Sequence, residues 1–123
     1  MPHGVDSTDD SDVLDPVARE RLASLGARTG RDVVGELTAL FLTTVKQRRQ
    51  DLDDAVERGD VVVARSTAHT IKGSAAAIGA VAVARVCGEL EAAVVITRPA
   101  LAKLLARLDV ELERAEAALG RSA

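Results

Sequence analysis

The sequence is nearly free of aromatic residues: it has no tryptophan or tyrosine and a single phenylalanine. Proteins that bind single-stranded nucleic acids stack bases on aromatic side chains, so this shortage argues against that class. The net charge of −3 comes from 16 basic and 19 acidic residues, and the two signs are interspersed along the chain. No basic face for nucleic acid is indicated, and we expect no nucleic-acid partner.

The chain also lacks the segments that direct a protein to a membrane or out of the cell. Its start, MPHGVDSTDDSDV, has no apolar core of the kind a secretion signal needs, and no later run approaches the roughly 20 apolar residues of a membrane span. The single cysteine cannot form an internal disulfide, which agrees with a reducing compartment. We expect a cytoplasmic protein with no membrane partner, in which Cys87 is a packed core residue.

Aliphatic residues at helical spacing are abundant instead. Hydrophobic residues make up 47% of the 123 positions, and the richness in Ala, Leu, Arg and Glu favours helices. Four long apolar stripes with short links predict an all-α fold, an antiparallel up-down-up-down four-helix bundle with a short additional N-terminal helix. We expect a disordered N-terminal tail at 1–12, the bundle at 13–119 and a C-terminal tail at 120–123.

Capping and breaking residues predict the helix ends. Asp15 before Pro16 marks the start of the short first helix, which we expect to end at Gly26 and to cover one end of the bundle. The other boundaries follow the same logic: the second helix lies between Asp32 and Gly59, the third between Asp60 and the turn Gly79-Ala80, and the last begins near Thr97-Arg98-Pro99.

The stretch from Ala68 to Ala80 combines this periodicity with chemically active groups. Its inward stripe is predicted by spacings of four, three, four and three residues: Ala64, Ala68, Ile71, Ala75 and Ile78. His69 lies about 100° from Ala68 around the helix axis, so its ring should reach the surface. Lys72 and Gly73 follow at three and four residues and therefore share the histidine's face.

An exposed imidazole with these two neighbours is suited to a phosphohistidine. Glycine in a helix interior costs about 1 kcal/mol relative to alanine, so Gly73 predicts a face that is kept clear for a close approach. Lys72 supplies a compact positive charge that suits a phosphoryl group.

A nucleophilic imidazole also needs a partner that sets its tautomer. Two antiparallel helices folded about residue 80 place His69 beside Glu91, each roughly 16 Å from the turn at about 1.5 Å rise per residue. We predict that Glu91 orients the imidazole. A carboxylate favours the charged ring and Lys72 favours the neutral one, so the protonation balance stays open at this point.

The run AHTIKGSAAAIGA, followed by VARVCGELE, resembles the histidine-containing phosphotransfer (HPt) domain of multistep two-component phosphorelays. LDPVARERLASLG and ELTALFLTTVKQRRQDLDDAVERGD resemble the first helices of that family, so the likeness covers roughly residues 13–119. The resemblance implies that Nε2 of His69 accepts a phosphoryl group while Nδ1 donates to the next helix, where many members have glutamine in place of Glu91.

The function implied by the resemblance is that of a phosphorelay carrier, which exchanges a phosphoryl group between His69 and an aspartate of a response-regulator receiver domain. Receiver domains and a hybrid sensor histidine kinase are the expected partners of a monomeric chain. The sequence has no Gly-rich phosphate loop, nucleotide motif or Mg²⁺ carboxylate cluster beside His69. We therefore expect no enzyme and no bound cofactor, with Mg²⁺ on the receiver.

Two other functions compete with this one. A helical module that binds or blocks a receiver or kinase without being phosphorylated is disfavoured by the joint presence of His69, Lys72 and Gly73. A metal-binding or enzymatic bundle needs further inward ligands at helical spacing, and none accompanies His69. One acidic cluster is either a solvated helix end or part of a docking surface, and the sequence leaves both open: Asp51, Asp53, Asp54, Glu57 and Asp60.

Overall fold

The computed structural model describes residues 12–92 and 98–122. All regular secondary structure in these ranges is α-helical: α1 Pro16–Thr29, α2 Val33–Glu57, α3 Val61–Ala77, α4 Val81–Ala92 and α5 Arg98–Ser122. The last four helices form the antiparallel bundle and each packs on its neighbour in the chain, which confirms the predicted fold class. Within the same ranges, no helix has the length and apolar character needed to cross a membrane.

Aspartate caps begin the first three helices. The side chains of Asp15, Asp32 and Asp60 accept hydrogen bonds of 3.0, 2.9 and 3.1 Å from backbone N–H groups two or three residues ahead. Each bond satisfies a donor that the first helical turn leaves without a partner. The predicted starts of α1, α2 and α3 are confirmed.

The predicted end of α1 at Gly26 is wrong. The helix continues to Thr29, and Gly30 ends it with a φ of 70° and a backbone N–H bonded to the carbonyl of Gly26. The left-handed conformation that ends a helix thus falls four residues later. Gly26 is needed for packing, because a Cβ there would lie 2.7 Å from the carbonyl oxygen of Arg31 at the link to α2.

The chain termini differ in part from the predicted tails. The helix α5 runs to Ser122, so residues 120–122 of the predicted tail are helical, and Ala123 lies outside the described residues. Asp12, assigned to the N-terminal tail, forms a 2.7 Å ion pair with Arg114. The rest of that predicted tail, residues 1–11, and the link 93–97 also lie outside the described residues.

Aliphatic side chains fill the core, as the composition requires. The predicted α3 stripe is buried at Ala68, Ile71, Ala75 and Ile78, each at most 2% exposed, and the one phenylalanine, Phe41, is 3% exposed. The remaining large side chains that are almost fully buried come mainly from the other bundle helices: Leu52, Val83, Cys87, Leu108 and Leu119. This core holds α3 and α4 together as one hairpin, and that hairpin positions the site.

The helix α1 covers the turn of that hairpin, as predicted. The backbone N–H of Asp15 donates to the Gly79 carbonyl at 2.6 Å, and the Arg19 guanidinium donates to the Ile78 carbonyl at 3.1 Å. Gly79 itself has a φ of 80°, and a Cβ on it would lie 3.2 Å from the Cβ of Ala18. The turn therefore requires glycine both for its backbone conformation and for the close approach of α1.

Candidate functional site

The imidazole of His69 stands on the outer face of α3. Its side chain is 69% exposed, although the preceding residue, Ala68, is fully buried. The difference arises because successive residues of a helix are rotated by about 100° around its axis, so a buried stripe leaves the next position pointing outward. The predicted exposure of the ring is confirmed.

Glu91 of α4 lies against this ring. Both of its carboxylate oxygens are 2.9 Å from Nδ1 of His69. An ionised carboxylate can only accept hydrogen bonds, so we assign a proton to Nδ1, which donates it to Glu91. In the neutral ring this assignment leaves the lone pair on Nε2. The contact that the antiparallel register predicts is therefore present.

Lys72 binds the same carboxylate, which the sequence analysis did not predict. Its Nζ lies 2.9 Å from Oε1 of Glu91, and the side chains of Lys72 and Glu91 are 37% and 23% exposed. The hydrogen bonds from Lys72 and then His69 hold the pKa of Glu91 below its ordinary value, because both stabilise the charged form. Glu91 is therefore an ionised group that joins the ring to the ammonium.

Two glycines lie near the side chains of His69, Lys72 and Glu91. Among the described residues, a Cβ added to Gly73 would meet no atom outside its own stretch of α3 within 4 Å, so the glycine leaves the surface open one helical turn beyond His69. On α4, a Cβ added to Gly88 would lie 3.9 Å from Cδ of Lys72. The aliphatic part of Lys72 thus passes over a position that has no side chain of its own.

Arg65 is a further contributor that the sequence analysis missed. Its Nε donates a 3.0 Å hydrogen bond to the backbone carbonyl of Glu91. This bond ties the last turn of α4 to α3 at the position of the carboxylate. The available sequence signal was its spacing, since Arg65 precedes His69 by four residues and shares its face.

Comparisons with known proteins bear on this arrangement. A family model described as the Hpt domain matches residues 36–118, which is more than half of the chain and includes His69, Lys72, Gly73 and Glu91. The chain belongs to the Hpt domain family. Hpt domains interact with response regulators and kinases in phosphorelays, where they are phosphotransfer carriers rather than kinases.

A solved structure agrees with this assignment. Histidine-containing phosphotransfer protein B (HptB) from Pseudomonas aeruginosa PAO1 is 26% identical to this Hpt domain, with a TM-score of 0.73, and the match covers 89% of this chain and 92% of that one. A search of curated proteins found no match. The family and the structural match together support a phosphorelay histidine phosphotransfer carrier.

Cys87 of α4 lies in the interior of the Hpt domain. It is fully buried, as predicted. Burial, with a smaller contribution from the charge of Glu91, raises the pKa of its thiol to about 12, because the thiolate would lose its hydration there. At neutral pH the residue is therefore an uncharged packing group.

Two concave surfaces lie along the C-terminal half of α3. A cavity of about 210 Å³ between α2 and α3 is lined by Leu37, Leu40, Phe41, Thr44, Ser74, Ala77 and Ile78. One of these lining residues, Leu40, is 61% exposed. A wider cavity of about 880 Å³ separates α1 from Ala76 and Ala77 and does not include His69.

The acidic cluster near the end of α2 has local partners. Asp51 pairs with Arg48 at 3.0 Å, Asp53 binds Arg49, and Asp60 caps α3. These contacts lie within α2 and at the start of α3, and they are compatible with either role of the cluster. Within residues 12–92 and 98–122, no group of three or more His, Cys, Asp or Glu side chains is placed to hold a metal ion.

Proposed function

We propose that this Hpt domain accepts a phosphoryl group on Nε2 of His69 from an aspartyl phosphate of a receiver domain and returns it to a receiver aspartate. The observation that supports this proposal most directly is the ring itself: Nδ1 is held by Glu91 at 2.9 Å while 69% of the side chain stays exposed. The ring is thus fixed in one tautomer and can still be reached by a macromolecular partner.

The transfer step needs only groups that this site and a receiver contain. The Nε2 lone pair attacks phosphorus, the bond between phosphorus and the aspartyl oxygen breaks, and the carboxylate leaves with the electron pair. Nδ1 keeps its proton, so no proton is gained or lost in the step. In-line phosphoryl transfer depends largely on positioning and on neutralisation of charge. We assign the orienting role to Glu91 and partial neutralisation of the phosphoryl group to Lys72.

The surface beside the ring suits the approach of a folded partner. Gly73 leaves open space next to His69, and the following residue, Ser74, lines the apolar cavity between α2 and α3 together with the exposed Leu40. A receiver resting on this face would bring its aspartate to Nε2 and supply the Mg²⁺ that phosphoryl transfer uses. This Hpt domain would contribute the acceptor ring and no cofactor.

The test is transfer from a phosphorylated receiver to wild type and to His69→Gln. We expect acid-labile label on the wild type and none on the variant, with thermal stability nearly unchanged because the ring is exposed. Lys103→Gln, an exposed change on α5, is the matched control and should be labelled like wild type. Label on His69→Gln would assign the acceptor elsewhere. Tight receiver binding without label on wild type would indicate the non-phosphorylated blocking module instead.

A further inference from the structure

Glu91 is more than a hydrogen-bond acceptor because it is charged. An uncharged amide oxygen at this position could accept the same bond from Nδ1 and hold the ring in the same orientation. The carboxylate would in addition stabilise positive charge on the imidazole, through two oxygens that each lie 2.9 Å from Nδ1. That charge matters most in a state in which the ring is cationic.

Phosphorylated His69 is such a state, which makes this argument rest on the proposed function. With phosphorus on Nε2 and a proton on Nδ1, the ring carries a positive charge. When an acceptor oxygen attacks phosphorus, the bond between phosphorus and Nε2 breaks, the electron pair returns to Nε2, and neutral imidazole leaves with its Nδ1 proton in place. Without that proton the leaving group would be the imidazolate anion, which leaves far less readily.

We propose that Glu91 sets the donor strength of phosphorylated His69 by holding the proton on Nδ1, so that the phosphohistidine stays labile to higher pH than an uncharged acceptor would allow. Glu91 is then a positioning residue that also determines the charge of the leaving group. Its own ionised state is secured by Lys72, whose Nζ lies 2.9 Å from Oε1.

The charged groups around the ring act in opposite directions. On α3, Lys72 and Arg65 oppose a cationic ring, but Lys72 is bound to Glu91 and Arg65 donates its Nε to the Glu91 backbone. On α2, Arg49 is bound by aspartates of α2 and α5. The ring of His69 bonds directly to the Glu91 carboxylate. A charge-assisted hydrogen bond of this kind is about twice as strong as a neutral one. The group in direct contact with the ring is therefore the negatively charged one.

The experiment uses phosphoramidate, a small phosphoryl donor, to phosphorylate wild type and Glu91→Gln without any partner protein. Hydrolysis of the phosphohistidine is then followed by ³¹P NMR across neutral and alkaline pH. The rate should fall as the Nδ1 proton is lost, and in Glu91→Gln this fall should come about one pH unit lower. At a pH above both midpoints, the variant should hydrolyse about ten-fold more slowly than wild type.

Two further variants separate the charge from a structural effect. Glu89→Gln is the matched control, because Glu89 lies two residues away on α4 and binds Arg107 at 2.7 and 2.8 Å. Its profile should coincide with that of wild type. Lys72→Gln removes an opposing cation, so its midpoint should shift to higher pH, opposite to Glu91→Gln. Loss of helix packing would not move the two midpoints in opposite directions.

Coincident profiles for wild type and Glu91→Gln, with phosphate on His69 in both, would overturn this inference and leave the proposed function intact. Acid-labile label on His69→Gln after incubation with a phosphorylated receiver would overturn the proposed function, and this inference with it. Wild type alone also provides a test that needs no variant to fold: its midpoint should lie above that of free Nε2-phosphohistidine. A midpoint at or below the free compound's value would refute the role of Glu91.

Discussion

Gly73 allows the stability of this Hpt domain to be separated from its function. It lies in the interior of α3 and its φ is not positive, and in the part of the chain that the structure describes an added Cβ would meet no atom within 4 Å beyond the neighbouring helix backbone. Gly73→Ala should therefore stabilise the helix by about 1 kcal/mol. For a domain of this size, that free energy corresponds to a rise in Tm of roughly 4 °C.

The same methyl group would stand on the face from which we expect a receiver to approach. Transfer from a phosphorylated receiver should slow in Gly73→Ala and slow further in Gly73→Val, while phosphorylation by phosphoramidate stays close to the wild-type rate. Thermal unfolding followed by circular dichroism measures the first effect, and rapid-quench labelling with each donor measures the second.

Gly120→Ala is the matched control for this experiment. Gly120 is also exposed and helical, and beyond its own turn no described atom lies within 4 Å of an added Cβ, but it lies in the last turn of α5. We expect a smaller gain in stability and no change in transfer. An unaltered receiver rate in Gly73→Ala would refute the close-approach argument, and an equal slowing with phosphoramidate would show that the methyl group disturbs His69 directly.

Three further predictions concern the scaffold and the carboxylate. Ile71→Ala should lower the unfolding free energy by about 2–5 kcal/mol in denaturant titrations, since Ile71 is 1% exposed; a loss below about 1 kcal/mol would contradict its place in the core. Gly79→Ala should cost more than Gly30→Ala, because both have a positive φ but only at Gly79 would the Cβ meet a neighbour, at 3.2 Å; equal losses of Tm would argue against tight docking of α1. The pKa of Glu91 is held below its ordinary value of 4.5, so its stabilising contribution is present above that pH and is lost as the pH falls through the folded-state pKa. The difference in unfolding free energy between wild type and Glu91→Gln should accordingly shrink on acidification, and a difference that grows would contradict the sign.

Much of the fold followed from local rules. The starts of α1, α2 and α3 were predictable because an aspartate cap acts within a few residues of itself. The exposure of His69 followed from helical periodicity alone, since Ala68 and Ile71 define which way α3 faces. The contact between His69 and Glu91 was also within reach of the sequence, because a short turn fixes which residues of two antiparallel helices lie side by side. The roles assigned to the two residues remain predictions.

Other features depended on distances between helices, which periodicity does not supply. Gly26 and Gly30 have the same propensity to end a helix, and only the approach of Arg31 to Gly26 shows which of them is needed for packing. The binding of Lys72 to Glu91 could not be inferred, because a flexible lysine can reach several acceptors and the spacing of α3 and α4 decides among them. The sequence by itself determined which side chains face outward, since that depends on rotation about a single helix axis. Only the tertiary structure decided which of these side chains form ion pairs with one another, since that depends on how closely two helices pack.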